Sequence, residues 1–348
     1  MTLKRFEFAR DTAGFPMPFA GDLAVIAANP NCDYRIVGCE NISLFSSFAP
    51  DVARLEAAGY KVTTQPSGQH DATIVHASRA KWQTLGNIAT AFSLTRPGGL
   101  IAVEGAKTDG IQSALDRCRK AGLSLHSVSK SHGKLFWLER PASVPDTVRA
   151  WRDALDLSKN KDGFLTSAGL FSQDRIDPGS ALLAAHFDAR LKGVVADLGA
   201  GWGWLSEMAG KSGKIERLDL FEADAAALTA ARANLTFTPA AFHWTDVRTL
   251  QTDLKYDAVI CNPPFHQTRV ADPLIGVDFI NTAARILAPN GALWLVANRQ
   301  LPYEAGLTDL FASVTTLEQT AHYKVYLAQK PRTASTRTKR GERPQSKR

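Results

Sequence analysis

Short apolar runs bounded by turn residues recur along this chain, separated by stretches whose apolar positions follow a helical period. Runs of that kind read as strands buried on both faces, and their alternation with helices predicts an α/β architecture. In the first half, Asp71–Val75 leads into a helical stretch, then Pro97–Val103, then His132–Leu138. The second half repeats the order with Asp257–Ile260, a helix, Pro289–Val296 and His322–Leu327. Pro97 and Lys134 are 37 residues apart, and Pro289 and Lys324 are 35 apart. Three elements in one order point to a duplicated domain. Between the halves, Arg140–Pro145 is a proline-rich break, followed by a candidate helix from Asp146 to Leu157 and a polar stretch, Ser158–Gly163. The expected organisation is a first domain over 1–145, a linker over 146–165, a second domain over 166–330 and a tail over 331–348.

The second half contains the candidate chemistry. Gly193–Asp197 is an apolar strand that runs into Asp197-Leu198-Gly199-Ala200-Gly201-Trp202-Gly203, and a helix is expected from Leu205 to Lys211. Glycines at that turn let a ligand touch backbone and permit positive φ. A dinucleotide fingerprint would put its third glycine at position 204, where Trp204 stands, so the spacing favours S-adenosylmethionine over NAD. Asp197 suits the ammonium of a methionine moiety, which has no counterpart in a pyrophosphate. The next strand, Ile215–Glu222, ends in a carboxylate 23 residues after Gly199, where it can accept from ribose hydroxyls. Asp246 falls where a third strand would end and is either an adenine contact or a local cap. The expected cofactor residues are therefore Asp197, Gly199, Gly201, Gly203, Glu222 and Asp246.

The strand Tyr256–Cys261 stops abruptly at Asn262-Pro263-Pro264-Phe265. Prolines carry no N–H, so this loop offers carbonyl oxygens and one amide with few competing donors. That suits the binding of an –NH₂ group through its hydrogens, which aims the nitrogen lone pair at an electrophilic methyl. Phe265 supplies a flat face on which a base can stack. Asn262, Pro263, Pro264 and Phe265 are the expected acceptor site. His266 is either a substrate contact or a surface turn residue, and Cys261 reads as a buried structural thiol.

Composition changes this picture only at one end. Of the 348 residues 45% are apolar and 22% charged, an ordinary globular balance with no run long enough for a membrane helix. The start lacks the apolar stretch of a signal peptide, and four cysteines without C-x-x-C spacing suggest neither zinc nor disulfides, so a cytoplasmic protein without metal is expected. The net charge of +7 belongs entirely to Lys330–Arg348, which holds eight Lys or Arg and one Glu. That tail, rich in Thr, Ser and Pro, is expected to be disordered. It is either a solubilising extension or a segment with non-specific affinity for RNA phosphates.

These blocks resemble the Asn-Pro-Pro-Tyr/Phe methyltransferases, and within them the ribosomal RNA small subunit guanine-N2 methyltransferases, family C. The likeness rests on Phe171–Ser180, Asp197–Gly201, Asn262–His266, Val296–Asn298 with Leu301–Tyr303, and Tyr323–Tyr326. It implies two tandem Rossmann-like methyltransferase domains, the N-terminal one degenerate and the C-terminal one catalytic. In the first half, Tyr34–Glu40 is expected to stand for the glycine loop and His76-Ala77-Ser78-Arg79 for Asn262–Phe265. The resemblance further implies S-adenosylmethionine as cofactor and ribosomal RNA or the assembled small subunit as partner; the oligomeric state is not read from the sequence, and a monomer is the expectation. Competing readings are a large-subunit guanine-N2 enzyme, a protein glutamine-N5 methyltransferase and a non-enzymatic RNA-binding assembly module.

Overall fold

Two seven-stranded sheets of identical strand order organise the chain. The structure, a computed structural model, describes residues 4–212, 214–264 and 273–332, and the basic tail from residue 333 on lies outside the described residues. The first sheet is built from β1 (Asp22–Ile26), β2 (Asn41–Phe45), β3 (Val62–Thr63), β4 (His70–His76), β5 (Thr95–Ala106), β6 (His126–Lys130) and β7 (Gly133–Glu139). Its spatial order is β3-β2-β1-β4-β5-β7-β6. Two-residue strands β8 (Ser158–Lys159) and β9 (Leu165–Thr166) fall in the stretch of chain between the sheets. The second sheet uses β10 (Gly193–Leu198), β11 (Ile215–Glu222), β12 (Ala240–Trp244), β13 (Tyr256–Cys261), β14 (Leu287–Asn298), β15 (Phe311–Gln319) and β16 (Tyr323–Pro331) in the order β12-β11-β10-β13-β14-β16-β15. In each sheet the first five strands in spatial order pair in parallel, and the next one, β7 or β16, pairs antiparallel with both of its neighbours.

Register makes the repeat explicit. Ile26 lies opposite Val75, and Leu198 opposite Cys261. A glycine of positive φ stands at the start of each first strand, Gly21 (+79°) just before β1 and Gly193 (+71°) as the first residue of β10. The backbone N–H of the next residue, Asp22 or Val194, donates to Oδ2 of Asp71 or Asp257 at 2.9 Å in both copies. Through this register His76 stands where the second copy has Asn262, as expected. The counterpart of the glycine loop is different from the expected one. Tyr34–Val37 is a 3-10 turn further along the chain, and the loop after β1 places Val25 at the position of Asp197 and Ala27 at that of Gly199. Ala27 keeps the left-handed backbone of its counterpart, with φ 55° against 76° for Gly199.

Both faces of the second sheet are apolar, as continuous strand runs require. Ala196, Leu198, Val259, Cys261, Leu293 and Leu295 pack under α9 (Pro273–Ile286) and α10 (Tyr303–Leu310). The alternate residues Val195, Ala258, Ile260, Trp294 and Val296 pack under α6 (Pro178–Ala184), α7 (Trp204–Gly210) and α8 (Ala225–Asn234). The first sheet is covered likewise, by α1 (Lys4–Ala13) and α2 (Ala49–Ala57) on one face and by α3 (Lys81–Leu94) and α4 (Ile111–Lys120) on the other. The segment after the proline-rich break forms α5 (Asp146–Ala150) and a 3-10 turn, Trp151–Leu155. Val148 and Trp151 are buried in the core of the first unit. Among the described residues that unit comprises those up to 160 with 166–173, and the second 161–165 with those from 174 on. Among the described residues no helix is long and apolar enough to cross a membrane.

Candidate active site

Because β10 pairs with β13, the glycine loop after Leu198 and the Asn262 loop after Cys261 leave adjacent strands at the same level. From there α7 turns to one face of the sheet and α9 to the other. This is the switch point where doubly wound sheets leave a crevice for ligands.

In the glycine loop each glycine has its own reason. Gly199 (φ +76°) donates to the Phe221 carbonyl at 2.8 Å, which seats the loop on β11. At Gly201 (φ +55°) a Cβ would meet no atom within 4 Å, so this backbone borders open space. Gly203 (φ +86°) is required by packing, since a Cβ there would lie 3.0 Å from the Ala231 Cβ on α8. The bulk of Trp202 does not obstruct the loop. Its side chain is buried, its ring centroid 5.4 Å from that of Phe164, and its carbonyl accepts from Asn234 Nδ2 at 3.0 Å.

Two carboxylates underlie the loop. Asp197 is fully buried, with Oδ2 accepting from Ser206 Oγ at 2.8 Å and Oδ1 without a hydrogen-bond partner among the described residues. Burial pushes its carboxyl up to about 7, with the Glu222 charge adding to the rise and the Ser206 hydrogen bond opposing it. Glu222 accepts from Gly201 N at 2.8 Å through Oε2 and from Asp224 N at 2.9 Å through Oε1. Burial raises its carboxyl above the ordinary range as well. Asp246 caps the 3-10 turn Val247–Thr249, taking the Arg248 N–H at 2.9 Å and pairing with the Arg248 guanidinium at 2.7 Å. Such a cradle, acidic beneath and open at Gly201, can hold a ligand that carries a positive charge and a diol.

On the acceptor side, Asn262 is half-buried, Pro263 buried and Pro264 exposed, while Phe265 and His266 lie outside the described residues. Cys261 is buried in the core and donates to the Leu198 carbonyl, Sγ to O 3.3 Å, with burial raising its thiol well above the ordinary range. The Asn262 amide nitrogen donates to Asp177 Oδ2 at 3.0 Å and to Ser180 Oγ at 2.8 Å. Asp177 is also the N-cap of α6, accepting from Ser180 N at 2.8 Å. With Nδ2 so engaged, the Asn262 carbonyl remains as the acceptor. In the sequence, Asp177 and Ser180 stand out only as part of the Phe171–Ser180 block. The Asp-Pro-Gly-Ser run announces a helix start, but nothing in it points to a partner 85 residues away. Further along, Glu304 binds Tyr326 Oη at 2.7 Å and pairs with Lys324, which ties α10 to β16.

A sheet of this order, with a glycine loop after its first strand and an amide-bearing loop after its fourth, defines an S-adenosylmethionine-dependent methyltransferase of Rossmann type. The chain matches the family model "Methyltransferase small domain" over residues 161–327. It is 30% identical to the ribosomal RNA small subunit methyltransferase C of Pectobacterium atrosepticum over 77% of both chains. It is 29% identical to the protein of the same name from Photorhabdus laumondii, over 75% of this chain and 77% of that one. A T. thermophilus 16S rRNA N2 methyltransferase, solved with AdoMet and guanosine, superposes with a TM-score of 0.76 at 23% identity, covering 94% of this chain and 92% of that one. The chain belongs to the ribosomal RNA small subunit methyltransferase C family.

Proposed function

We propose that the second unit transfers the methyl group of S-adenosylmethionine to the exocyclic N2 amine of a guanine in 16S ribosomal RNA. The observation that carries this reading is the Asn262 amide, whose nitrogen is committed to Asp177 and Ser180 while its carbonyl is left to accept, one strand away from the glycine loop. When bound, S-adenosylmethionine supplies a sulfonium methyl that is open to attack. Gly199 and Gly201 would let the cofactor approach the backbone, Gly203 sets the turn, Glu222 would accept from its ribose hydroxyls, and Asp246 would meet its adenine. Asp197, wholly buried, acts from beneath as a negative charge that favours the ligand's cations. On the other side, the Asn262 carbonyl and the carbonyls of the Pro263-Pro264 loop receive the two amine hydrogens, which turns the nitrogen lone pair toward the methyl. Phe265 provides the stacking face for the guanine. No strong base is needed, because the methylated nitrogen is cationic and gives its proton to water.

The first unit fits a degenerate copy. Val25 and Ala27 stand where the acid and first glycine would be, and His76 is engaged by Glu104 and Tyr34, each at 2.7 Å. Its part is to support the catalytic unit and help position RNA, with the basic tail adding contact to phosphates. The enzyme acts as a cytoplasmic monomer on ribosomal RNA, free or assembled into the small subunit. The test is labelled methyl transfer to 16S RNA and small subunits from cells lacking the gene, followed by nucleoside mass spectrometry. N2-methylguanosine in 16S RNA is the expected product. The same nucleoside only in large-subunit RNA, or methylglutamine in protein, would replace this reading.

A further inference from the structure

We infer that Asp177 is a positioning residue of the transfer step, which locks the Asn262 amide in the orientation that presents oxygen to the substrate amine. The inference rests on the amine-methylation reading and assigns a role to a residue outside the glycine and Asn-Pro-Pro loops.

An asparagine amide has two faces of opposite polarity, a carbonyl that accepts and an –NH₂ that donates. Turned the wrong way, Asn262 would aim its N–H groups at the substrate nitrogen and occupy the lone pair that must attack. The choice between the two orientations is therefore chemical as well as structural. Asp177 Oδ2 lies 3.0 Å and Ser180 Oγ 2.8 Å from Asn262 Nδ2. An ionised carboxylate can only accept, so rotation of the amide would set the Asn262 oxygen against the Asp177 oxygen. Ser180 alone would not decide the matter, since its hydroxyl can donate as readily as accept. The asymmetry comes from Asp177.

Asp177 is itself held in place. It caps α6 through the Ser180 N–H, and Pro178 fixes the first helical position. The Tyr323 ring packs on Gly179 so closely that a Cβ there would sit 3.0 Å from it. The Asn262 loop thus takes its orientation from the start of α6.

The Ser180 N–H and the Asn262 Nδ2 both meet Oδ2 of Asp177, so a test variant must keep a cap while losing the obligate acceptor, as Asp177→Ser does. Serine caps a helix about as well as aspartate, so a purely structural role predicts a variant with wild-type turnover. Its shorter side chain ends in a hydroxyl that can donate as well as accept, which lets Asn262 rotate, and the inference predicts that kcat falls by about 100-fold. Cofactor affinity by calorimetry and the thermal midpoint should stay at wild-type values. A second readout needs neither cofactor nor RNA. In the cofactor-free protein the Asn262 side-chain N–H signals, assigned by their loss in Asn262→Ala, should exchange with deuterium about tenfold more slowly than those of exposed asparagines. Asp177→Ser should remove that protection. A variant whose kcat remains within about twofold of wild type, or wild-type Asn262 protons that exchange freely, would overturn the inference. If the wild-type enzyme methylated no guanine amine at all, the functional reading would fall while the exchange experiment still judged the lock.

Discussion

Glu222, at the end of β11, accepts a hydrogen bond from the Gly201 N–H at 2.8 Å, so the carboxylate proposed for the ribose also holds the backbone of the glycine loop. Removing it should cost affinity twice, through the lost ligand contact and through a loosened loop. Hydrogen bonds to a charged group are worth about 1.5–3 kcal/mol, which converts to roughly a 10- to 100-fold weaker S-adenosylmethionine Kd for Glu222→Ala. Glu222→Gln keeps an oxygen for Gly201 and should lose less. Calorimetric titration of the two variants checks the ranking, and equal losses would separate the loop contact from binding.

Asp197 makes a prediction about pH. Burial raises its folded-state pKa to about 7, above the unfolded value of about 4. A carboxyl that holds its proton more tightly when folded contributes stability at low pH, and that contribution is lost as pH climbs from about 4 to about 7. Asp197→Asn keeps the buried group neutral at every pH. The cofactor-free variant should therefore melt higher than wild type above about pH 7, with the gap closing on acidification toward about pH 4. Thermal scans across that range decide it, and a constant gap would mean the carboxyl does not titrate there. Cofactor affinity of the same variant should fall, since the charge beneath the loop is gone.

Gly201 and Gly203, two positions apart in sequence, should fail in different ways. At Gly203 an added Cβ would lie 3.0 Å from the Ala231 Cβ and 3.1 Å from its Cα at a φ of +86°. Gly203→Ala should lower stability by about 1–3 kcal/mol through overpacking, visible in urea titration. At Gly201 nothing lies within 4 Å and φ is +55°, so Gly201→Ala should cost folding only about 1 kcal/mol. Its methyl projects into the space beside the loop, and S-adenosylmethionine binding should be the property it damages. Binding that survives in Gly201→Ala would remove Gly201 from the cofactor surface.

The second half was legible because its signals are local. A strand running into Asp197 and three glycines, and another ending at Asn262 and two prolines, each announce an unusual turn within a few residues. The repeat was legible because both copies keep Asp71 and Asp257 at the foot of the fourth strand, where each caps the first strand through one N–H. The first copy's loop escaped because Ala27 adopts φ 55° without a glycine to mark it, and the eye falls instead on Gly38 after the Tyr34 turn. The segment after Pro145 reads as a connector from its prolines. Its order comes from Val148 and Trp151, whose burial depends on a core formed by residues far earlier in the chain. The Asp177–Asn262 contact belongs to the same kind, a polar pair joined only by the sheet.

In the first unit, at the place that Asn262 occupies in the second, His76 Nδ1 lies 2.7 Å from Glu104 Oε1, and Arg5 pairs with the other carboxylate oxygen. Burial pushes the Glu104 carboxyl up, but the His76 and Arg5 interactions outweigh it and hold the group below the usual glutamate range. A depressed carboxyl stabilises the fold above its unfolded pKa of about 4.3, and that contribution is lost as pH falls through the lower folded value. Glu104→Gln removes the charge while keeping the shape, leaving Arg5 half-paired in a poorly solvated site. The expected cost near neutral pH is about 2 kcal/mol, and it should shrink below about pH 4, where wild type loses the same charge. Because the effect belongs to one unit, it should appear as faster hydrogen exchange in the β4 and β5 amides with those of β10 and β13 unchanged. S-adenosylmethionine affinity should remain at the wild-type value, and a weakened affinity in Glu104→Gln would show that the first unit shares in cofactor binding after all.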